Sequence, residues 1–225
     1  MRSASLRLAQ WHRHVNAVNA PPALRHWLTG GGSLTARLKA HSATFRVQRL
    51  HQRSGLCLLD EAALIGLARP CRVRERAVLL NCDEHAVVFA HTVVPLSATA
   101  SDWPLFGALG ERSLGSTLFG DPQVRRGTLE YARLRPAHPL AQRARKALGD
   151  GGDGGAGGAG HRVLYARRCL YTRRQGLLLV TEVFLPALAS LCATQKLTNT
   201  PTDTPDNRTW RREHAGTDTP TKRIW

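Results

Sequence analysis

Two charged residues interrupt otherwise apolar runs of this sequence. Arg76 stands in RERAVLLNC, and counting by two from Val78 and Leu80 puts it on the face those side chains share. Glu182 stands in LLLVTEVFLP, in step with Val180 and Phe184, within the most apolar strand of the chain. A lone charge among such neighbours is costly unless it is paired or put to use. A guanidinium offers a bidentate fork that suits a carboxylate, and a glutamate can give or take a proton. The pattern by itself also allows two structural explanations: an ion pair between Arg76 and Glu182, or an edge strand whose charge is solvated.

Other charged positions carry less. Arg74 shares the parity of Arg76. Glu130 and Arg133, in LEYARL, read as a structural pair. Arg167 and Arg168 have opposite parity, so at most one is expected to face the interior. His91, before TVVP, suits a pocket rim as well as a core or surface histidine. The chain has no GxSxG elbow, no HExxH, no CxxC pair and no GxGxxG after a strand. His12 and His14 form an HxH in a polar segment with no carboxylate at ligand spacing, which reads as a surface pair. No metal and no cofactor are expected.

The elements that must position these residues are mostly strands. Residues 72–81 and 86–96 are rich in Val and Leu and flank a tight connection at residues 82–85, which predicts an antiparallel hairpin. Residues 162–171 and 177–185 predict a second hairpin, ended by Pro186. Residues 128–134 form a further strand, and residues 44–50 a short one whose alternation breaks at Arg49. Pro21-Pro22 opens a helix that Gly30-Gly31-Gly32 ends, and Ser33 caps another. A short helix is expected after Asp60-Glu61, and another over residues 103–109, stopped by Gly110. The outcome is one α+β domain, a mostly antiparallel sheet with short helices packed against it.

That domain spans residues 21–190, after a polar leader at residues 1–20. DGGDGGAGGAG at residues 150–160 is a glycine-rich insertion; with no preceding strand and no Lys-Ser/Thr pair, it is no phosphate loop. Residues 191–225, rich in Thr, Pro, Asp and Asn, read as a disordered tail. The chain has 225 residues and a formal net charge of +16, carried almost wholly by dispersed arginine. Dispersion favours a compositional bias over a dedicated polyanion surface. Five cysteines, without CxxC spacing or a recognisable secretory signal, fit a reduced cytoplasmic compartment. The apolar window at residues 177–193 is interrupted by Glu182 and Pro186 and is shorter than the ~20 residues a span needs, so no membrane span is expected.

The segments WLTGGGSLT, RAVLLNCD, FAHTVVPLS, LGERSLGSTLF, LEYARL, YARRCLY and LLLVTEVFLPAL resemble, in order and near the same spacing, those of chorismate lyases. The resemblance covers residues 24–188. It implies an enzyme that splits chorismate into 4-hydroxybenzoate and pyruvate without metal or cofactor, for ubiquinone biosynthesis in a bacterial cytoplasm, as a monomer. It also implies roles. Arg76 would bind the ring carboxylate, with a backbone N–H at Leu114-Gly115 as second donor. Glu182 would contact the ring oxygen region where pyruvate leaves, as acid or base, and Leu34 would form pocket wall.

Two alternatives remain open at this level. The first is a non-catalytic small-molecule effector domain of similar fold; a winged helix-turn-helix would be expected before it, and the short leader has no room for one. The second is a nucleic-acid binder, motivated by the charge but lacking interleaved aromatics or a recognisable module.

Overall fold

The computed structural model describes residues 8–149, 163–189 and 191. The glycine-rich segment 150–160 and the tail beyond residue 191 lie outside the described residues. Six strands form one antiparallel sheet: β1 (Phe45–Leu56), β2 (Arg72–Cys82), β3 (His85–Pro95), β4 (Val124–Leu134), β5 (Leu164–Arg173) and β6 (Gly176–Phe184). Their order across the sheet is β1-β2-β3-β6-β5-β4. The α-helices are α1 (Pro22–Thr29), α2 (Leu34–Ala40), α3 (Leu59–Ala62), α4 (Leu114–Gly120) and α5 (Pro139–Leu148). The architecture is the α+β one that the hairpin pattern predicts.

Local chemistry accounts for the main turns. Asp83 and Glu84 both adopt left-handed φ, at 48° and 69°, the geometry of a two-residue turn whose twist matches its strands. The Asp83 carboxylate accepts from the Thr44 N–H at 2.9 Å, which ties this turn to the start of β1. Pro22 opens α1, where its missing N–H costs nothing. The Ser33 hydroxyl accepts from the Ala36 N–H and caps α2.

Pairing sorts the side chains by face. One row runs Arg76–Thr92–Val180–Cys169, and its neighbour on the same face runs Val78–Ala90–Glu182–Arg167. The interleaved row, Ala77–His91–Thr181–Arg168, points the other way. On the front face, α1 and α2 pack Trp27, Leu28, Leu34 and Leu38 against Val78 and Leu80. Further along, Phe106, Leu109 and Leu118 pack on Val94 and Leu178. On the back, α5 sets Leu140, Ala141 and Ala144 on Ala77, Phe89 and Val183. Ala62 and Ile65 cover Val73, Val93 and Leu179 there.

Several expectations need correction. β1 continues to Leu56 because a bulge between Arg49 and His51 absorbs the broken alternation. Residues 103–109 form only a 3-10 turn at Pro104–Phe106, a length consistent with Pro104 at the start and glycines at 107 and 110. α5 went unforeseen although HPLAQRARKAL carries its signals: Pro139 opens the helix and the His138 ring accepts from the Leu140 N–H. Because both sheet faces are covered, Arg167 and Arg168 are both buried despite opposite parity. Glu130 pairs with Arg168 at 2.7 Å instead of with Arg133. His91 lies buried on the back face, 3.3 Å from Glu61, and not at a front-face rim.

Part of the segment 1–20 docks on the sheet. The Trp11 indole N–H donates to Asp60 at 2.9 Å, its ring lies 4.0 Å from the Arg168 guanidinium carbon, and His12 bridges to Tyr131. His14 is exposed. Among the described residues no group of three His, Cys, Asp or Glu is placed to hold a metal ion, and no helix is long and apolar enough to cross a membrane.

Candidate active site

Between the two front-face clusters the sheet leaves a cavity. Arg76 and Glu182 both line it, as do Leu34, Leu114 and Gly115. The strand register brings the two charges to one face, while the first turns of α2 and α4 supply the wall. These two helix starts meet over the cavity, where the Thr35 and Ser113 hydroxyls are 2.8 Å apart.

Arg76 is a buried cation, 2% exposed, with no acidic partner among the described residues. One terminal nitrogen, Nη2, donates to the carbonyls of Gly110 at 3.0 Å and Arg112 at 2.9 Å. Its Nε finds no partner. Burial, and secondarily the charge of Arg49, pull its pKa down to about 10. A desolvated guanidinium held only by carbonyls favours an anionic partner.

Glu182 is not paired with Arg76, so one of the structural explanations of that pair falls away. Its counterion is Arg167, the next residue across the ladder, whose Nε meets Oε2 at 2.5 Å. Arg167 is also fixed from above. Its Nη1 donates to the carbonyls of Trp27, Leu28 and Gly30, each at 3.1 Å. Those carbonyls close the C-terminal end of α1, where helical C=O groups lack intrahelical partners and favour a cation. The carboxylate is thereby oriented through one oxygen, leaving Oε1 for another partner.

Two lining residues escaped the sequence reading. Tyr171 sits in the cavity wall, its phenol pKa pushed up by burial. Arg126 reaches the cavity from β4. The charged groups of the lining are Arg76, Arg126, Arg167 and Glu182: three guanidiniums against one carboxylate, a formal excess of two positive charges. That charge excess and the aliphatic walls suit a compact anionic ligand.

Comparison with known proteins bears on what that ligand is. A family model described as chorismate lyase matches residues 5–191. A probable chorismate pyruvate-lyase of Cupriavidus metallidurans is 46% identical over 186 residues, covering 82% of this chain and 84% of the relative. One of Ralstonia nicotianae is 50% identical over 163 residues, covering 72% and 81%. Among solved structures, the effector domain of PhnF from Mycobacterium smegmatis is similar with a TM-score of 0.45 and 16% identity, over 70% of this chain and 90% of that one.

Proposed function

Since the chain belongs to the chorismate lyase family, we propose that this cavity is where it splits chorismate into 4-hydroxybenzoate and pyruvate, the first committed step of ubiquinone biosynthesis. The observation that carries the assignment is Arg76: a buried guanidinium without an acidic partner, in the same cavity as a glutamate oriented by another arginine. Chorismate is a dianion, and the lining has an excess of two positive charges.

In this reading Arg76 takes the ring carboxylate, joined by a backbone N–H from the first turn of α4 at Leu114-Gly115. Leu34 and Leu114 flank the ring and exclude water. The bond to break joins ring carbon C3 to the ether oxygen, whose electron pair leaves with the enolpyruvyl group. The C4 hydrogen departs as a proton, and the C4–H electrons close the aromatic ring. That proton ends on the enolpyruvate, which ketonises to pyruvate. Glu182, ion-paired with Arg167, is an anion with one oxygen uncommitted, suited to accept from the C4 edge of the ring. Holding the two reacting carbons against that carboxylate converts binding into rate, an effect that can reach several kcal/mol. The enzyme so described works in the cytoplasm as a monomer, the latter a matter for light scattering.

The test is incubation of purified protein with chorismate in EDTA, following 4-hydroxybenzoate and pyruvate, beside Arg76→Ala and Glu182→Ala. Equimolar products from the wild type, with losses of at least about 100-fold in both variants, are expected. An active Glu182→Ala would instead mean that the C4 hydrogen passes directly to the enolpyruvyl methylene without a protein base. Folded wild type that binds 4-hydroxybenzoate but makes no product would point to a sensor of the same fold.

A further inference from the structure

We propose that Arg126 binds the second carboxylate of chorismate, the one on the departing enolpyruvyl group; the inference rests on the lyase reading of the cavity. Arg76 accounts for one carboxylate of a dianion. Among the other lining cations, Arg167 is committed to Glu182 and three carbonyls. Arg126 is not committed to any acid among the described residues. Its Nη1 donates to the Gly31 carbonyl, its guanidinium carbon lies 5.7 Å from the centre of the Phe119 ring, and its Nε is buried without a partner. Nearby Arg49 is exposed and does not line the cavity, and Arg37 donates to the carbonyls of His26 and Trp27.

Arg126 owes its aim to a defect in β4. Leu129 pairs with Cys169 and Tyr131 with Arg167, so period-two counting from these front-face residues would point Gly127 at the cavity and Arg126 away from it. A register shift between Arg126 and Leu129 adds one residue and reverses the parity, so that Arg126 pairs with Tyr171, itself a cavity residue. Bulges re-aim side chains in this way and gather beside active sites. Gly127 permits it: a Cβ there would come within 2.9 Å of the Leu170 carbonyl oxygen.

The placement fits the ligand. The strand of Glu182, β6, lies midway in the sheet between those of Arg76 (β2) and Arg126 (β4), two strands from each. With the ring carboxylate on Arg76 and the C4 edge at Glu182, the ether and its carboxylate fall on the β4 side. As the C3–O bond breaks, negative charge grows on the enolpyruvate oxygen, and a preorganised cation beside it favours departure.

The measurement compares chorismate with 4-hydroxybenzoate, which lacks this carboxylate. In R126Q, KM for chorismate is expected to rise roughly 10- to 100-fold, the value of a charge-assisted hydrogen bond. Inhibition by 4-hydroxybenzoate should stay within about twofold of the wild type, well under the tenfold that a lost 1.4 kcal/mol contact would give. R126K, which keeps the charge but not the fork, should fall between; it carries the same comparison if R126Q does not fold. Equal losses for both ligands, or no loss for either, would overturn the assignment while leaving an active wild type as a lyase. A wild type that forms no product would overturn the lyase reading and this assignment with it.

Discussion

Replacing Arg167 by methionine tests which arginine holds Glu182. Arg167 is 2% exposed and makes four hydrogen bonds, one to Glu182 and three to the carbonyls at the end of α1. Methionine retains the bulk and removes all four. Breaking a buried ion pair by deleting one partner costs about 3–5 kcal/mol. Glu182 keeps 19% exposure and recovers some hydration, which places the expected loss near the lower end, about 3 kcal/mol. In urea, with a slope of about 1–3 kcal/mol per molar, the midpoint should drop by about 1–3 M.

The decisive quantity is the coupling. Glu182→Met alone should cost less, since Arg167 keeps three carbonyl acceptors, and the double variant should be no less stable than Arg167→Met. The cycle should return a coupling of at least about 1.5 kcal/mol for Arg167 with Glu182. The parallel cycle for Arg76 with Glu182 should give under about 0.5 kcal/mol. Tryptophan fluorescence reports the transition well, because Trp27 is 1% exposed and its own carbonyl is one of the four partners. Additive costs for Arg167 and Glu182, or a larger coupling through Arg76, would refute the pairing and return Glu182 to the role of structural partner to Arg76.

Arg76→Met should leave stability within about 1 kcal/mol of wild type, or raise it, because it exchanges a desolvated cation for an apolar side chain. Affinity for 4-hydroxybenzoate should fall about 100-fold, the cost of a charged hydrogen-bond partner in a dry site. A thermal melt beside a binding titration separates the two, and a loss above 3 kcal/mol would make Arg76 structural. On the back face, burial pushes the Glu75 carboxyl up, but the hydrogen bond from Arg53 and the charges of His91, Arg143 and His51 outweigh it and hold its pKa below the ordinary value. A lowered folded pKa gives stability that is full above about 4.5 and lost as pH falls through the folded value. Wild type should therefore exceed Glu75→Gln by about 1–3 kcal/mol at pH 7, with the gap closing in urea titrations run below pH 4.5. A gap that persists to pH 3 would show that Glu75 acts through shape and not charge.

Arg76 and Glu182 were legible because a charge in step with Val and Leu is a local anomaly, visible within five residues of strand. Leu34 and Leu114 were not anomalous; only the likeness to a family drew attention to them. Arg167 could be placed inside by parity, but its partners at Trp27, Leu28 and Gly30 lie some 140 residues away along the chain. Arg126 was hidden by the bulge, since counting by two fails where one residue is added. A glycine inside a strand is the signal that could have exposed it, because glycine in that setting often marks a bulge. The back-face acids were obscure for another reason. Asp60 and Glu61 read as first-turn residues of a helix, yet their side chains end on His138 and His91 from other elements.

The sheet separates charge by face, and that separation connects stability to function. On the back, four acids among the described residues each meet a basic side chain: Asp60 faces His138, Glu61 His91, Glu75 Arg53 and Arg143, and Glu130 Arg168. On the front, Glu182 meets Arg167 and Asp121 meets Arg173, whereas Arg76 and Arg126 have no acidic partner among the described residues. Like charges left unneutralised in one cavity oppose folding, so the apolar clusters around them must offset the cost. A dianionic ligand removes that opposition and stabilises the folded chain by mass action. In the proposed assignment, the same two cations would favour chorismate over a monoanion. Once the side-chain carboxylate had left with pyruvate, only the Arg76 end would remain engaged, and the remaining ring would be held by half of the charge that drew the substrate in.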